Sequence, residues 1–365
     1  MKPINVLAQQ IEMVDEYIVN HWPLASLEAQ KISFVGRNIS HILIGGCGDS
    51  HHAALGLELA FGALTGCEVR AQEALKLARY APLLTGQDLE SCLVIGISNS
   101  GEVARTIEAI EIWNEAGAQT LAYTSDIDST LAHAAQHSLV LPSIDIPHGP
   151  GLLSYIGSLL LGYATIEYSF GEDNSHRISQ LIGQLPALLS KWVPSEIKRG
   201  EQFAANVSDG IAVFIGSGSA HGSAHFGAAK VVEAVGERSW AQDVEEWAHL
   251  EYFCDPADMP TILLSAKGRA NSRELEIFHA MEVLGRSILR SEWGGGKDWS
   301  PMEREVLAPL ALWAAPCAYA SARSEMLAAE PFRGFRGGRD RREGGGASRI
   351  RSSKRLSLDG LTGEK

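Results

Sequence analysis

The chain has 365 residues, 45% of them hydrophobic, and a formal net charge of −13. That length and apolar content allow two domains of ordinary size, each with its own core. The acidic balance argues against nucleic acid or an anionic membrane as a partner, because most of such a surface repels a polyanion.

The charge is unevenly placed. From Glu330 onward ten Lys or Arg stand against five Asp or Glu, so a basic segment follows an acidic body. The five cysteines, Cys47, Cys67, Cys92, Cys254 and Cys317, show neither CxxC spacing nor the even count of a disulfide framework, which suggests a reducing compartment. Met1 to Asn5 lacks the apolar core of a signal peptide, and an acidic amphipathic helix pattern follows around Glu12 to Tyr17. A cytoplasmic location is the expectation. The uncharged run from Gly151 to Ile166 is shorter than the roughly 20 residues a bilayer requires and contains Ser154, Tyr155 and Ser158, so a buried helix is expected there.

In chain order, His41 to Ile44 reads as a strand and Ala53 to Leu64 as a helix. Leu93 to Ile97 then reads as a strand, Val103 to Ala116 as a helix, and Thr120 to Thr124 and Ser138 to Leu141 as further strands. Strand and helix alternate, which predicts an α/β fold with a parallel sheet flanked by helices. The second half repeats the plan at an offset of 170. Ile211 to Ile215 enters Gly216-Ser217-Gly218-Ser219-Ala220-His221 as Ile42 to Ile44 enters Gly46-Cys47-Gly48-Asp49-Ser50-His51, and Ala71-Gln72-Glu73 meets Ala241-Gln242-Asp243. The expected division is a helical segment 1–36, a first lobe 37–170, an inter-lobe helical segment 171–205, a second lobe 206–330 and a Gly/Arg-rich tail 331–365. After Arg290 the pattern weakens, and one more helix is expected from about Pro301 to Ala328.

In an open parallel sheet ligands bind where strands end and loops lead into helices. Ser98-Asn99-Ser100-Gly101-Glu102 follows an apolar strand and opens a helix. Its hydroxyls, carboxamide and glycine suit either a tetrahedral oxyanion or a simple helix cap. Gly46-Cys47-Gly48-Asp49-Ser50 has the same placement. It lacks the third glycine of a dinucleotide fingerprint, and no GxxxxGK[ST] loop exists, so no nucleotide cofactor is expected. His51 and His52 are adjacent rather than i, i+4, and no metal is expected.

These loops, together with Ala229-Lys230-Val231-Val232-Glu233 and Glu245-Glu246-Trp247-Ala248-His249, resemble the sugar isomerase (SIS) domain family. The two-lobe layout is similar to the isomerase half of glucosamine-6-phosphate synthase, over roughly Ile42 to Ile288. The resemblance implies two tandem SIS lobes, each a flavodoxin-like three-layer sandwich. It implies that Ser98, Asn99 and Ser100 hold a phosphate while Cys47, Gly48, Ser50 and Ser154 line a sugar. It also makes Glu233 the base that moves a proton between C1 and C2, and His249 a ring-opening group that reaches the partner's site in a homodimer. The implied activity is phosphosugar aldose-ketose isomerisation, or isomerisation or deamination of an amino-sugar phosphate; the alternative is a non-catalytic sugar-phosphate sensor.

Val103 stands where the synthase pattern has a threonine, with Arg105 and Thr106 one turn on. The loop Ser265-Ala266-Lys267-Gly268-Arg269 has lost Ser-x-Ser-Gly, which predicts one phosphate site per chain. No glutaminase segment precedes the first lobe, so a complete synthase is not expected. The tail from Arg333 to Arg342 is open to three readings: a solvated end, an RNA-binding stretch, or a lid over the sugar site. In the lid reading Arg351 lends charge to the anion.

Overall fold

The computed structural model describes residues 5–32, 38–81, 89–170, 176–207, 210–332 and 354–362. Its helices and strands pack into two compact units: Ile18–Asp145, Ser154–Gly183 and Arg336–Lys365 in one, Met1–Tyr17, Ile146–Leu153 and Gln184–Phe335 in the other.

The first of these units contains five parallel strands: β1 (His41–Gly46), β2 (Glu68–Glu73), β3 (Cys92–Ile97), β4 (Gln119–Thr124) and β5 (His137–Val140), in the order β2-β1-β3-β4-β5. Strand β3 is buried along its whole length, as a strand covered by helices on both faces must be. One face carries Leu43, Val94 and Ala122 against Ile107, Ile110 and Trp113 of the helix Ala104–Glu115, and the Trp113 indole donates to the Leu77 carbonyl over 2.9 Å. The second unit holds four parallel strands, β6 (Ala212–Ile215), β7 (Ser239–Gln242), β8 (Thr261–Ser265) and β9 (Ile288–Glu292), in the order β7-β6-β8-β9. Its core joins Val213, Ile215 and Leu263 to Trp247, Ile277 and Met281.

Three differences from the sequence reading have physical causes. Strands β2 and β7 lie at sheet edges and are half-exposed and polar, so they give no apolar run to detect. Strand β9 continues to Glu292, past the point where the apolar pattern fades. The single helix expected from Pro301 to Ala328 is two, Pro301–Leu307 and Ala314–Met326, separated by a 3-10 turn at Ala308–Leu310. Pro309 sits in that turn and has no N–H to continue an α-helical ladder. The expected buried helix in the 151–170 stretch runs Leu153–Thr165 and ends in a π turn, Ile166–Phe170.

Candidate functional site

Strand order positions the site. In the first sheet the chain passes from β1 to β2 on one side and returns to β3 on the other, so the order reverses between β1 and β3. At such a switch point the loops leaving neighbouring strands diverge and open a crevice at the carboxyl edge. Gly46 pairs with Ile97 in the β1–β3 register, so the loops after them leave at the same level. These are the loops containing Cys47, Gly48 and Ser50 and containing Ser98, Asn99 and Ser100, and the fold therefore brings six of the expected residues to one edge. Cys47, Gly48, Asn99 and Ser100 are exposed there, Ser50 is half-buried, and Ser98 is enclosed.

The Ser98–Glu102 loop is tied down by its neighbours. The Gly101 amide donates to the Ser98 carbonyl at 3.0 Å, and the Asn99 carbonyl accepts from the Ser125 amide at 3.0 Å and its hydroxyl at 2.7 Å. Asn99 Nδ2 donates to Ser143 Oγ at 3.3 Å. Gly101 has φ +65°, and a Cβ on it would lie 2.1 Å from Ser129 Oγ, so both backbone conformation and space call for glycine. Glu102 accepts from the Thr130 amide and hydroxyl, each at 2.8 Å. That clamp to the loop after β4 was not singled out from sequence, where Glu102 read only as part of a polar turn. Inside the clamp, the Ser98 hydroxyl is buried and has no hydrogen-bond partner among the described residues, and the Thr106 hydroxyl is in the same condition. Thr106 lies in the first turn of the helix Ala104–Glu115, where anions are favoured, and Ser98 directly follows β3 in the loop that leads to it.

Arg105, just after Val103, faces the acids of its own helix and the tail. Its guanidinium pairs with Glu108 and donates to the Lys354 carbonyl at 2.7 Å. Glu108 is fully buried and also accepts from Arg79 at 2.6 Å and from the Leu356 amide at 3.0 Å. Arg355 bonds Glu111 at 2.8 Å and the Leu358 amide bonds Glu115 at 2.8 Å. The described part of the tail thus lies along the helix Ala104–Glu115. Arg351 and the stretch Arg333 to Arg342 lie outside the described residues.

The second sheet repeats the local geometry with different chemistry. Gly48 has φ 58° and ψ −128°, and Gly218, 170 positions on, has φ 58° and ψ −131°; each precedes the first residue of a helix, Asp49–Thr65 and Ser219–Ala234. Glu73 and Asp243 likewise each precede a short helix after the edge strand. After β8, however, the Ser265 hydroxyl donates to Glu274, a buried carboxylate that burial pushes above its ordinary range while the hydrogen bond from Ser265 pulls it back. Here a carboxylate of the chain itself occupies the serine, unlike the unpartnered Ser98.

Glu233 and Lys230 share the last turns of the helix Ser219–Ala234. The Lys230 ammonium is fully buried, donates to the Gly151 carbonyl at 3.0 Å, and meets Glu233 Oε2 at 2.6 Å. Val231 and Val232 precede Glu233, but Val232 is exposed and the carboxylate meets an ammonium. The Lys-x-x-Glu spacing, one helical turn, carried that signal in the sequence. His249 ends the helix Val244–His249 with its side chain 74% exposed and Nε2 3.2 Å from Glu245. Arg273, bonded to Glu245 at 2.9 Å, holds that carboxylate below its ordinary range. Ser154 is half-buried in the first turn of the helix Leu153–Thr165, where its carbonyl accepts from Ser158.

Residues 37–168 match the family model of the SIS domain. This lobe is a SIS domain. Over 303 residues the chain is 25% identical to a glutamine–fructose-6-phosphate aminotransferase (isomerizing) of Pyrobaculum aerophilum, an alignment covering 78% of this chain and 49% of that protein. It thus spans about half the length of that relative. A shorter stretch of 104 residues is 32% identical to the aminotransferase of the same name from Helicobacter pylori, covering 28% of this chain and 17% of that one. Among solved structures, the C-terminal domain of glucosamine-fructose-6-phosphate aminotransferase from Francisella tularensis superposes with a TM-score of 0.68 at 17% identity, covering 87% of this chain and 96% of that one. Glucosamine-6-phosphate deaminase from Thermotoga maritima gives 0.65 at 17% identity, covering 90% and 94%. The SIS domain and the unit after it therefore have the fold of these proteins. Among the described residues no helix is long and apolar enough to cross a membrane.

Proposed function

We propose that the chain binds a sugar phosphate at the β1/β3 edge of its SIS domain and catalyses proton transfer between C1 and C2, as a phosphosugar isomerase or an amino-sugar-phosphate isomerase or deaminase. The observation that carries this reading is the enclosed, unpartnered Ser98 hydroxyl at the entry to the helix Ala104–Glu115, inside a loop held by Gly101 and Glu102. A phosphate there gains loop donors and a favourable helix end. The Cys47–Ser50 loop, on the neighbouring strand, lines the sugar.

Glu233 is the proposed base. It takes the proton from C2 of the aldose, leaving an enediolate, and returns it to C1 to give the ketose, while the hydroxyl proton moves from O2 to O1. Lys230 fixes the carboxylate's orientation. His249, exposed at a helix end, is proposed to act in the site of a second copy of the chain, so the active species is a homodimer; sedimentation of a monomer alone would remove that role.

The second reading is a sugar-phosphate sensor without turnover. The Lys230–Glu233 pair favours it, since a carboxylate held by a buried ammonium is a poorer base than an isolated one. Proton exchange at C1 of fructose 6-phosphate and at C2 of glucosamine 6-phosphate in deuterated water, followed by NMR, separates the two. Exchange that disappears in Glu233→Gln with ligand affinity retained is expected for the enzyme. Binding without exchange makes the chain a sensor.

A further inference from the structure

The helix Ser219–Ala234 carries two histidines one turn apart whose ring nitrogens face each other. His221 Nε2 and His225 Nε2 are 3.1 Å apart, with ring planes at 80°. His221 Nδ1 lies 3.1 Å from the Gly216 carbonyl oxygen. A carbonyl can only accept, so Nδ1 carries the proton and the neutral ring presents a lone pair at Nε2. His225 then supplies the proton shared between the two rings. Both residues are half-buried.

We propose that this pair is a binding site for a late first-row divalent cation, of the class of Zn²⁺, Ni²⁺ or Cu²⁺. With metal–nitrogen distances of about 2.05 Å, donors 3.1 Å apart subtend about 100° at the ion, between the octahedral and tetrahedral angles. The Gly216 carbonyl behind His221 is the second interaction that ligating imidazoles ordinarily have: it fixes the tautomer and aims Nε2. Binding releases no proton overall, since the Nε2 proton of His225 relocates to its own Nδ1 as the metal takes its place. No cluster of three or more metal-ligating side chains occurs among the described residues, so water or a bound solute completes the coordination.

The site belongs to the second lobe alone. Counting back 170 positions, His221 corresponds to His51 but His225 to Leu55, which cannot ligate. His51 and His52 are adjacent, whereas the i, i+4 spacing of His221 and His225 puts both on one face of a helix. A cation here would staple the first two turns of the helix that bears Lys230 and Glu233 near its other end. The inference does not depend on the proposed activity.

The test is titration of the full chain, stripped with a chelator and dialysed, with ZnCl₂, NiCl₂, CuCl₂ and MgCl₂ by calorimetry. One ion per chain is expected, with Cu²⁺ tightest, Ni²⁺ and Zn²⁺ weaker and Mg²⁺ without measurable heat. His221→Ala and His225→Ala should each weaken binding by about tenfold or more, and His279→Ala, at an exposed histidine on another helix, should not. Electron paramagnetic resonance of the Cu²⁺ form gives a readout that needs no variant: coupling to two imidazole nitrogens is expected. No binding by the unaltered chain, unchanged affinity in both histidine variants, or coupling to a single nitrogen would each overturn the assignment.

Discussion

Gly101→Ala tests whether the Ser98–Glu102 loop is the rigid cradle described. At φ +65° an L-residue costs about 1–2 kcal/mol relative to glycine. The new Cβ would stand 2.1 Å from Ser129 Oγ and 2.2 Å from Ser129 Cβ, so Ser129 must move. Ser129 caps the helix Thr130–Ala134 by accepting from the Ala132 amide and donates to the Asp126 carbonyl at 2.7 Å. Losing that cap costs about 0.5–2 kcal/mol and the overpacking about 1–3 kcal/mol. The smaller conformational freedom of alanine in the unfolded chain returns about 0.4–1 kcal/mol. The net loss centres on about 4 kcal/mol, to be read from urea denaturation followed by circular dichroism. Gly117→Ala is the control: φ is +93° there, but a Cβ meets nothing within 4 Å, so only conformational strain of about 1–2 kcal/mol applies, less the same return of about 0.4–1 kcal/mol from the unfolded chain. If the two variants lose the same stability, the packing of Ser129 against Gly101 is not what holds the loop.

Ser98→Ala should separate stability from binding. Removing a buried hydroxyl without a partner is expected to leave stability unchanged or raise it by about 1 kcal/mol. Affinity for inorganic phosphate and fructose 6-phosphate in calorimetry should fall roughly 10- to 150-fold, the worth of one hydrogen bond to a charged group. A destabilised variant with unchanged affinity would place that hydroxyl in the core and not in the site. Glu274→Gln should alter the pH dependence of folding. Burial raises this carboxyl above its ordinary 4.5, so its contribution to stability is full below that pH and is lost as pH rises through the folded value. The glutamine variant should therefore be more stable than the unaltered chain at pH 7–8 in denaturant melts, with the gap closing towards pH 4.5; a gap of constant size would contradict the assignment.

Sequence pattern revealed the central strands because burial on both faces leaves an unbroken apolar run, as in Cys92–Ile97. It revealed the paired glycine loops because a backbone near φ 58°, ψ −130° admits little besides glycine, so Gly48 and Gly218 leave the same mark in both halves of the chain. The edge strands Glu68–Glu73 and Ser239–Gln242 left no such mark, being polar and half-exposed. Within the site, the six loop residues were legible from their placement after strands. The Lys230–Glu233 contact was legible too, from a spacing of one helical turn, but what Arg105 touches was not, since its guanidinium is engaged by a chain segment some 250 positions away. Local pattern carries little information about partners at that separation.

The segment from Lys354 to Leu358 gives the first unit a particular order of assembly. Its buried acid, Glu108, takes one of its hydrogen bonds from an amide about 250 residues downstream, and the helix it lies on cannot gain these neighbours until the ribosome has added those residues. A fragment cut at the boundaries of the family match, 37–168, would leave out that amide. It would also lose the Glu28 carboxylate that accepts from the Val140 amide. The stretch most easily recognised in the sequence is therefore smaller than the piece that can be expected to fold when expressed alone.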